Sequence, residues 1–413
     1  MKKLIIPLLI TSILVVIGGC GTKKDSDSLD ISDKVAFGKD DYKEIISSNN
    51  ELGFKLLEGV PADENNNIFI SPTSLLMALS MIYNGAEGLT KEEIAEAMQT
   101  KDINVNELNK ANASLMSRLH SDSDKISLDI ANSIWLNKNY HFKDKFAQHT
   151  KDYFDAEIQE IDITNSNSSK LINDWVKKAT NEKIEEIVEA PLDPNLVAML
   201  INAIYFKGTW KYEFDRAKTE KGTFTLADET KKDVSFMTLS KKLSYLENEK
   251  FQAVILPYSD GEMSMSVFLP KENVGLEALE KTLSNKNWKD WHMEFQKKEG
   301  TVTLPKFQLE YEVLLNESLK SLGMKKAFEK DADFTKMIKE EDPLWINDVK
   351  QKTFIEVNEA GTEAAAVTSI DVKTTSASID EPFFMEVNRP FFLAITDDET
   401  GAILFMGSIS NPQ

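Results

Sequence analysis

Four histidines, one cysteine and a surplus of carboxylates are the groups in this chain that could do chemistry, and their spacing offers little. His120, His141, His149 and His292 fall in no HExxH or other ligand pattern; His141 and His149, eight residues apart, read as surface histidines. No GxSxG elbow and no phosphate-binding loop occurs. Cys20 is the single thiol, so no disulfide can form within the chain and no cysteine nucleophile with a companion base emerges. With 68 acidic residues, paired carboxylates arise from composition alone and single out no acid–base pair. The expectation is therefore no catalytic residue, no metal site and no cofactor.

The most specific pattern carries no catalytic group. From Glu356 to Ser369 the chain reads EVNEAGTEAAAVTS. The alternating strand residues Thr353 to Val357 lead to Gly361, which lacks the Cβ barrier to unusual backbone angles and suits a pivot. Beyond it, Thr362, Ala364, Ala366, Thr368, Ile370, Val372 and Thr374 share one face, small or apolar throughout. Glu363, Asp371 and Lys373 fall on the other. That is the pattern of a half-buried strand, yet Ala, Glu, Asp and Lys are poor strand formers. The segment can sit in a sheet without having to start there. An Ala/Ser/Thr linker or a frayed helix end is the alternative. Context weighs against it, because only 35 residues follow Ser378. In that stretch, Phe391 to Thr396 and Ala402 to Ile409 flank the turn Asp397-Asp398-Glu399-Thr400-Gly401 as a hairpin. The expectation is an exposed loop tethered at both ends to one sheet system. Lys373 is the only basic residue between Gly361 and Asn388.

Several elements must position this loop. Ser71-Pro72 predicts a helix start, with Ser as N-cap and Pro at the first helical position. Leu75 to Tyr83 is apolar almost all round, which predicts burial. Thr90-Lys91-Glu92-Glu93 reads as a capping box opening a helix through Met98. Lys170 to Ile184 carries Leu171, Ile172, Trp175, Val176 and Ala179 as a stripe at helical spacing. Leu196 to Phe206 is helix or buried strand by periodicity alone. Ala253 to Pro257 and Met263 to Leu269 predict a hairpin around Ser259-Asp260-Gly261. Helices and strands without βα alternation indicate an α+β fold.

The 413 residues are 41% hydrophobic, enough for a sizeable core, and carry a net charge of −20. Such a surface repels nucleic acid, and no Lys/Arg cluster offsets it. At the N-terminus, Lys2 and Lys3 precede an apolar run from Leu4 to Ile17 that ends Ile17-Gly18-Gly19-Cys20. This resembles the lipobox of bacterial lipoproteins. The expected organisation is a signal peptide over 1–20, a polar flexible tether over 21–40 and a single domain over 41–413. A lipidated Cys20 would place the protein, after secretion, on a membrane of the cell envelope or cell surface.

Several blocks together resemble the serpins. EVNEAGTEAAA is similar to their hinge, and NRPFFLAITDDETGAILFMGSISNP to their closing signature. FISPTSLLMALSMIYNGAEG, LINAIYFKGTW and VTLPKFQLEYE resemble three further blocks, so that the likeness runs from about Asn50 to Pro412. The resemblance implies one α+β domain of mixed β-sheets with surrounding helices and an exposed reactive-centre loop. It also makes Leu196 to Phe206 a central strand, with the Lys170 helix lying across its sheet. The implied function is a suicide substrate: a protease cuts the loop, and the loop inserts into the main sheet before the acyl-enzyme can hydrolyse. Its partners would be serine proteases, held covalently, with cysteine proteases left open as a second class. A non-inhibitory binding or chaperone-like member of the fold is the alternative.

The resemblance also implies particular residues. Gly361, Thr362, Glu363, Ala364, Ala365 and Ala366 match the hinge. The bait lies about seventeen residues along, counting Glu359 as the first, which gives Thr375 with Ser376 after the cut. Lys373 and Thr374 are the alternatives, because this loop is a few residues longer than in some relatives. Ser71, Ser74 and Asn202 resemble the polar shutter beneath the opening sheet, with helix capping and a satisfied strand amide as their plainer roles. Gln351 stands where many members have a shutter histidine, so opening should depend less on pH. Trp210 matches the breach tryptophan, and a core aromatic is its plainer role. Ala360, where relatives often have Glu, is expected to be exposed and tolerated. Lys101 to Lys125 holds no basic cluster, so no heparin-type site is expected, and the protein is expected to be a monomer.

Overall fold

The computed structural model describes residues 35–120, 125–259, 261–362 and 381–413. Among the described residues, two sheets and a set of helices enclose the core, as an α+β chain should. The six-stranded sheet runs in the order Phe307–Leu314, Asp348–Val357, Gly361–Thr362, Ala198–Thr209, Ile126–Asn137, Glu157–Ile161. Ala198–Thr209 settles the ambiguous apolar run as a strand, parallel to Asp348–Val357 and antiparallel to Ile126–Asn137. It is apolar on both faces because both are covered. Ala198, Leu200, Ile204 and Phe206 enter the main core, while Met199, Ile201, Ala203 and Tyr205 enter a second cluster. The second cluster is closed by the Ser168–Ala179 helix through Ile172 and Val176. Leu171, counted in the stripe from sequence, instead lies 44% exposed.

The chain between that helix and the Ala198 strand lies over the same sheet face. Ile184, Ile187, Val188 and Leu192 are buried there. Lys352, on the Asp348–Val357 strand, donates to Glu186 O at 2.6 Å and pairs with Glu310 and Glu312, lashing this connection to two strands.

Beneath the other face runs the Pro72–Gly85 helix, buried along all but one of its residues. Ser71 is its N-cap, accepting from Ser74 N at 3.2 Å, with Pro72 at the first position. The Thr90 capping box is not formed. The helix starts earlier, at Gly88, whose φ of +52° the chain reaches without a Cβ. Thr90 and Glu93 turn outward to other segments instead. Thr90 Oγ1 accepts from Asp333 N, and the Glu93 carboxylate accepts from the backbone of Lys325 and Lys326.

The larger, nine-stranded sheet contains both hairpins expected from sequence. Phe251–Pro257 pairs with Met263–Pro270, and Phe391–Asp397 with Ile403–Ile409. Its far edge carries Phe383–Glu386, parallel to Gln296–Pro305. The described chain therefore ends in one sheet at Thr362 and resumes in the other at Phe383. The single sheet system expected from sequence is corrected to two, since alternation marks a strand but not its partners.

Candidate functional site: the parted sheet and the root of the loop

Strands Asp348–Val357 and Ala198–Thr209 pair directly from Asp348↔Met199 up to Phe354↔Tyr205. Above that point they part, and Gly361–Thr362 lies between them, with Thr362 opposite Val357 and Gly208, and Gly361 opposite Thr209. A Cβ on Gly361 would meet Gly208 O at 2.1 Å and Thr209 Cα at 2.6 Å, so only glycine fits this approach. Thr362 is fully buried and its hydroxyl lies 2.7 Å from the Tyr258 hydroxyl. Tyr258 stacks on Trp210 at 4.5 Å with the rings within 10° of parallel. Burial pushes the Tyr258 phenol far up, against an opposite pull from Thr362, so it stays a neutral hydrogen-bonding group.

Trp210 grips the root of the loop by both its backbone and its ring. Its amide donates to Ala360 O and its indole to Asn358 O, each at 2.9 Å. Phe214 N donates to Glu359 O at 2.8 Å. The Glu359 carboxylate is buried against Lys306 at 2.8 Å and Thr219 Oγ1 at 2.7 Å. Burial alone would raise its pKa, but these partners outweigh it and hold the carboxyl below its ordinary value. Ala360 is 2% exposed, which corrects the expectation of a tolerant surface position. It is buried because the chain on both sides is fastened inward.

Lower in the sheet, three amide side chains form a row across three neighbouring strands. Gln351 faces Asn202, which faces Asn132, in register. Gln351 Nε2 donates to Asn202 Oδ1 at 2.6 Å, and Asn202 Nδ2 donates to Asn132 Oδ1 at 2.6 Å and to Ser74 Oγ. Gln351 also accepts from Ser71 N at 2.9 Å and donates to Ser71 O at 3.0 Å. Ser71 Oγ donates to Leu404 O at 2.6 Å. Ser71 and Ser74 at the helix start thus meet Asn202 and Gln351, far away in sequence, in one buried network that ties the core helix to the seam between the parting strands.

Glu363, Ala364, Ala365, Ala366, Lys373, Thr374, Thr375, Ser376 and Cys20 lie outside the described residues. Sequence reasoning missed Tyr258, Asn132, Thr219 and Lys306. Only Lys306 left a trace, as the sole charge between Gly300 and Leu309. His141 pairs with Glu340 at 2.7 Å, and His292 is packed against Trp288. Among the described residues no group of three or more His, Cys, Asp or Glu is placed to hold a metal ion.

The six-stranded sheet is thus parted at one end, with Gly361–Thr362 seated in the gap. The chain belongs to the serpin family: the family model, described as serpin (serine protease inhibitor), matches residues 47–412. Serpins are generally protease inhibitors rather than enzymes. Among curated proteins, the chain is 34% identical to Iripin-3 of Ixodes ricinus, over 90% of this chain and 96% of that protein. It is 35% identical to Serpin B8 of Homo sapiens, over 85% and 94%. Intracellular coagulation inhibitor 2 of Tachypleus tridentatus is 34% identical over 87% and 89%. Among solved structures, the thermophilic serpin tengpin in its native state superposes with a TM-score of 0.82 at 34% identity, covering 92% of this chain and 96% of that one. Human thyroxine-binding globulin complexed with thyroxine superposes with a TM-score of 0.83 at 27% identity, covering 90% and 100%.

Proposed function

We propose that the protein is a suicide-substrate inhibitor of serine proteases. Cleavage of its loop would let residues from Thr362 onward continue as a strand between Asp348–Val357 and Ala198–Thr209. The observation that carries this reading is the seating of Gly361–Thr362 in the parted sheet. The start of the inserting strand is already in register, so insertion extends a ladder rather than nucleating one. Every second residue from Thr362 to Thr368 is small and uncharged, so burying that face meets no charge-desolvation barrier.

The bait bond is Thr375–Ser376, which suits elastase-like pockets, with Lys373 serving trypsin-like enzymes and Thr374 as a neighbouring position. Using Lys373 would shorten the inserted segment by two residues and weaken the trap. Lipidation of Cys20 would hold the inhibitor at a membrane of the cell envelope, guarding it against proteases from outside. Partition of the full-length chain, but not of Cys20→Ala, into a detergent phase tests the anchor.

Incubation of the soluble domain with pancreatic elastase and, separately, trypsin tests the inhibition. A denaturation-stable complex and a released peptide beginning at Ser376 supports Thr375 as the bait; a peptide beginning at Thr374 moves it to Lys373. Clean cleavage without a complex by several protease classes overturns the inhibitor reading. It would favour a binding protein, a second reading supported by the close superposition on a thyroxine complex.

A further inference from the structure

Where the chain resumes beyond the loop, the Phe383–Glu386 strand forms the edge of its sheet. Phe383 points inward and stacks on Tyr245 at 4.2 Å. Phe384 points the other way and is 71% exposed, beside its register partner Thr301. It borders a cleft of about 610 Å³ that is also lined by Glu272, Glu386, Lys271 and Arg389. The two cations are committed within the molecule. Lys271 pairs with Glu247, and Arg389 donates to Pro270 O at 3.0 and 2.8 Å and to Asn388 Oδ1 at 3.1 Å. The Glu272 and Glu386 carboxylates feel Arg389 through charge alone, and neither carboxylate accepts a hydrogen bond or forms an ion pair among the described residues.

We propose that this cleft docks a basic side chain, arginine or lysine, on the rim of the attacking protease. The cation would lie over the Phe384 ring and between the two carboxylates, neither of which is hydrogen-bonded to a cation among the described residues. An aromatic face beside carboxylates recognises a cation by quadrupole and charge together. The net charge of −20 draws in basic partners in general, and this cleft gives that attraction a place. It is also continuous with the loop. Phe384 lies eight residues beyond Ser376, at most about 29 Å of chain, so a protease gripping the bait has its flank within reach.

The inference rests on the loop being protease bait, and its test is separable from the inhibitor reading. Cationic and anionic trypsin serve as probes, being alike in cleavage specificity and opposite in surface charge. The readout is the rate at which intact chain is consumed at low salt, whether it ends as complex or as cleaved protein. Complex against clean cleavage on the gel reports inhibition; the rate reports docking. Glu272→Gln/Glu386→Gln is expected to slow consumption by cationic trypsin about tenfold and to leave anionic trypsin unchanged. Phe384→Ala should slow cationic trypsin about threefold. Asp102→Asn/Glu107→Gln makes the same charge change at exposed positions elsewhere and should match the unaltered protein. The inference is overturned if the cleft variant is consumed as fast as this control, if it slows both trypsins equally, or if cationic trypsin does not consume the unaltered chain.

Discussion

At the level of single residues, two buried contacts around the seam make distinct predictions. Gln351 satisfies Ser71 N, Ser71 O and Asn202 Oδ1 at once. Gln351→Ala strands all three and should cost roughly 2–3 kcal/mol, read as a fall in denaturant midpoint at unchanged slope. A glutamine does not titrate, so this network should add no pH dependence near neutrality; Gln351→His should add one. Glu359 behaves differently. Its folded pKa is depressed below an ordinary value of 4.5, so the stability it contributes is present above that value. That contribution is lost as pH falls through the lower folded pKa. Lys306→Met removes the main partner, leaves Thr219, and should cost about 2 kcal/mol at pH 7, discounted because Lys306 is 36% exposed. The difference in melting temperature between wild type and Lys306→Met should be widest at neutral pH and close below about pH 4.5. A gap that persists unchanged to pH 3 would show that the lysine acts through packing and not through its charge.

The elements were the most legible level in the sequence. Ser71-Pro72 and the apolar run behind it give a helix start and its burial by local rules alone. The two hairpins near the C-terminal half are marked by alternation and by Gly261 and Gly401 at φ of +91° and +75°. What local rules could not supply is pairing. Nothing near Thr362 says that its partners are Val357 and Gly208, or that Phe383 belongs to the other sheet. Tyr258, the residue that bonds the Thr362 hydroxyl, sits 104 positions away in an unremarked hairpin end. Thr90-Lys91-Glu92-Glu93 misled because side chains that could cap their own helix found donors on neighbouring segments. The seating of the hinge strand yields its own prediction. Thr362→Arg must bring a charge to a fully buried site beneath stacked Trp210 and Tyr258. With elastase, the fraction of cleaved chain recovered as stable complex should fall from a majority to a minor product, while cleavage itself continues. An undiminished complex fraction would mean that insertion does not pass through this position.

The six-stranded sheet is parted at one end, and the energetics of filling the gap can be weighed from the contacts already present. Opening the seam breaks the parallel ladder of seven register pairs from Asp348↔Met199 to Phe354↔Tyr205. It also breaks the Gln351–Asn202 bond and disturbs the connection lashed down by Lys352. A new strand in the gap would gain ladders on both sides, antiparallel to each neighbour as Gly361–Thr362 already is. For a strand of about a dozen residues the net gain is on the order of ten hydrogen bonds, or about 10 kcal/mol. In a domain this size each kcal/mol moves the melting temperature by about 1.3 °C, so loop cleavage should raise it by roughly 13 °C. The same cut in an ordinary exposed loop would leave stability unchanged or lower it. Thermal melts of intact and elastase-cleaved domain therefore separate the two cases without any protease complex being isolated. A large upward shift would mean that the intact fold is held short of its most stable state by the seam; equal melting temperatures would remove the driving force on which a trap depends and leave the ligand-binding reading standing.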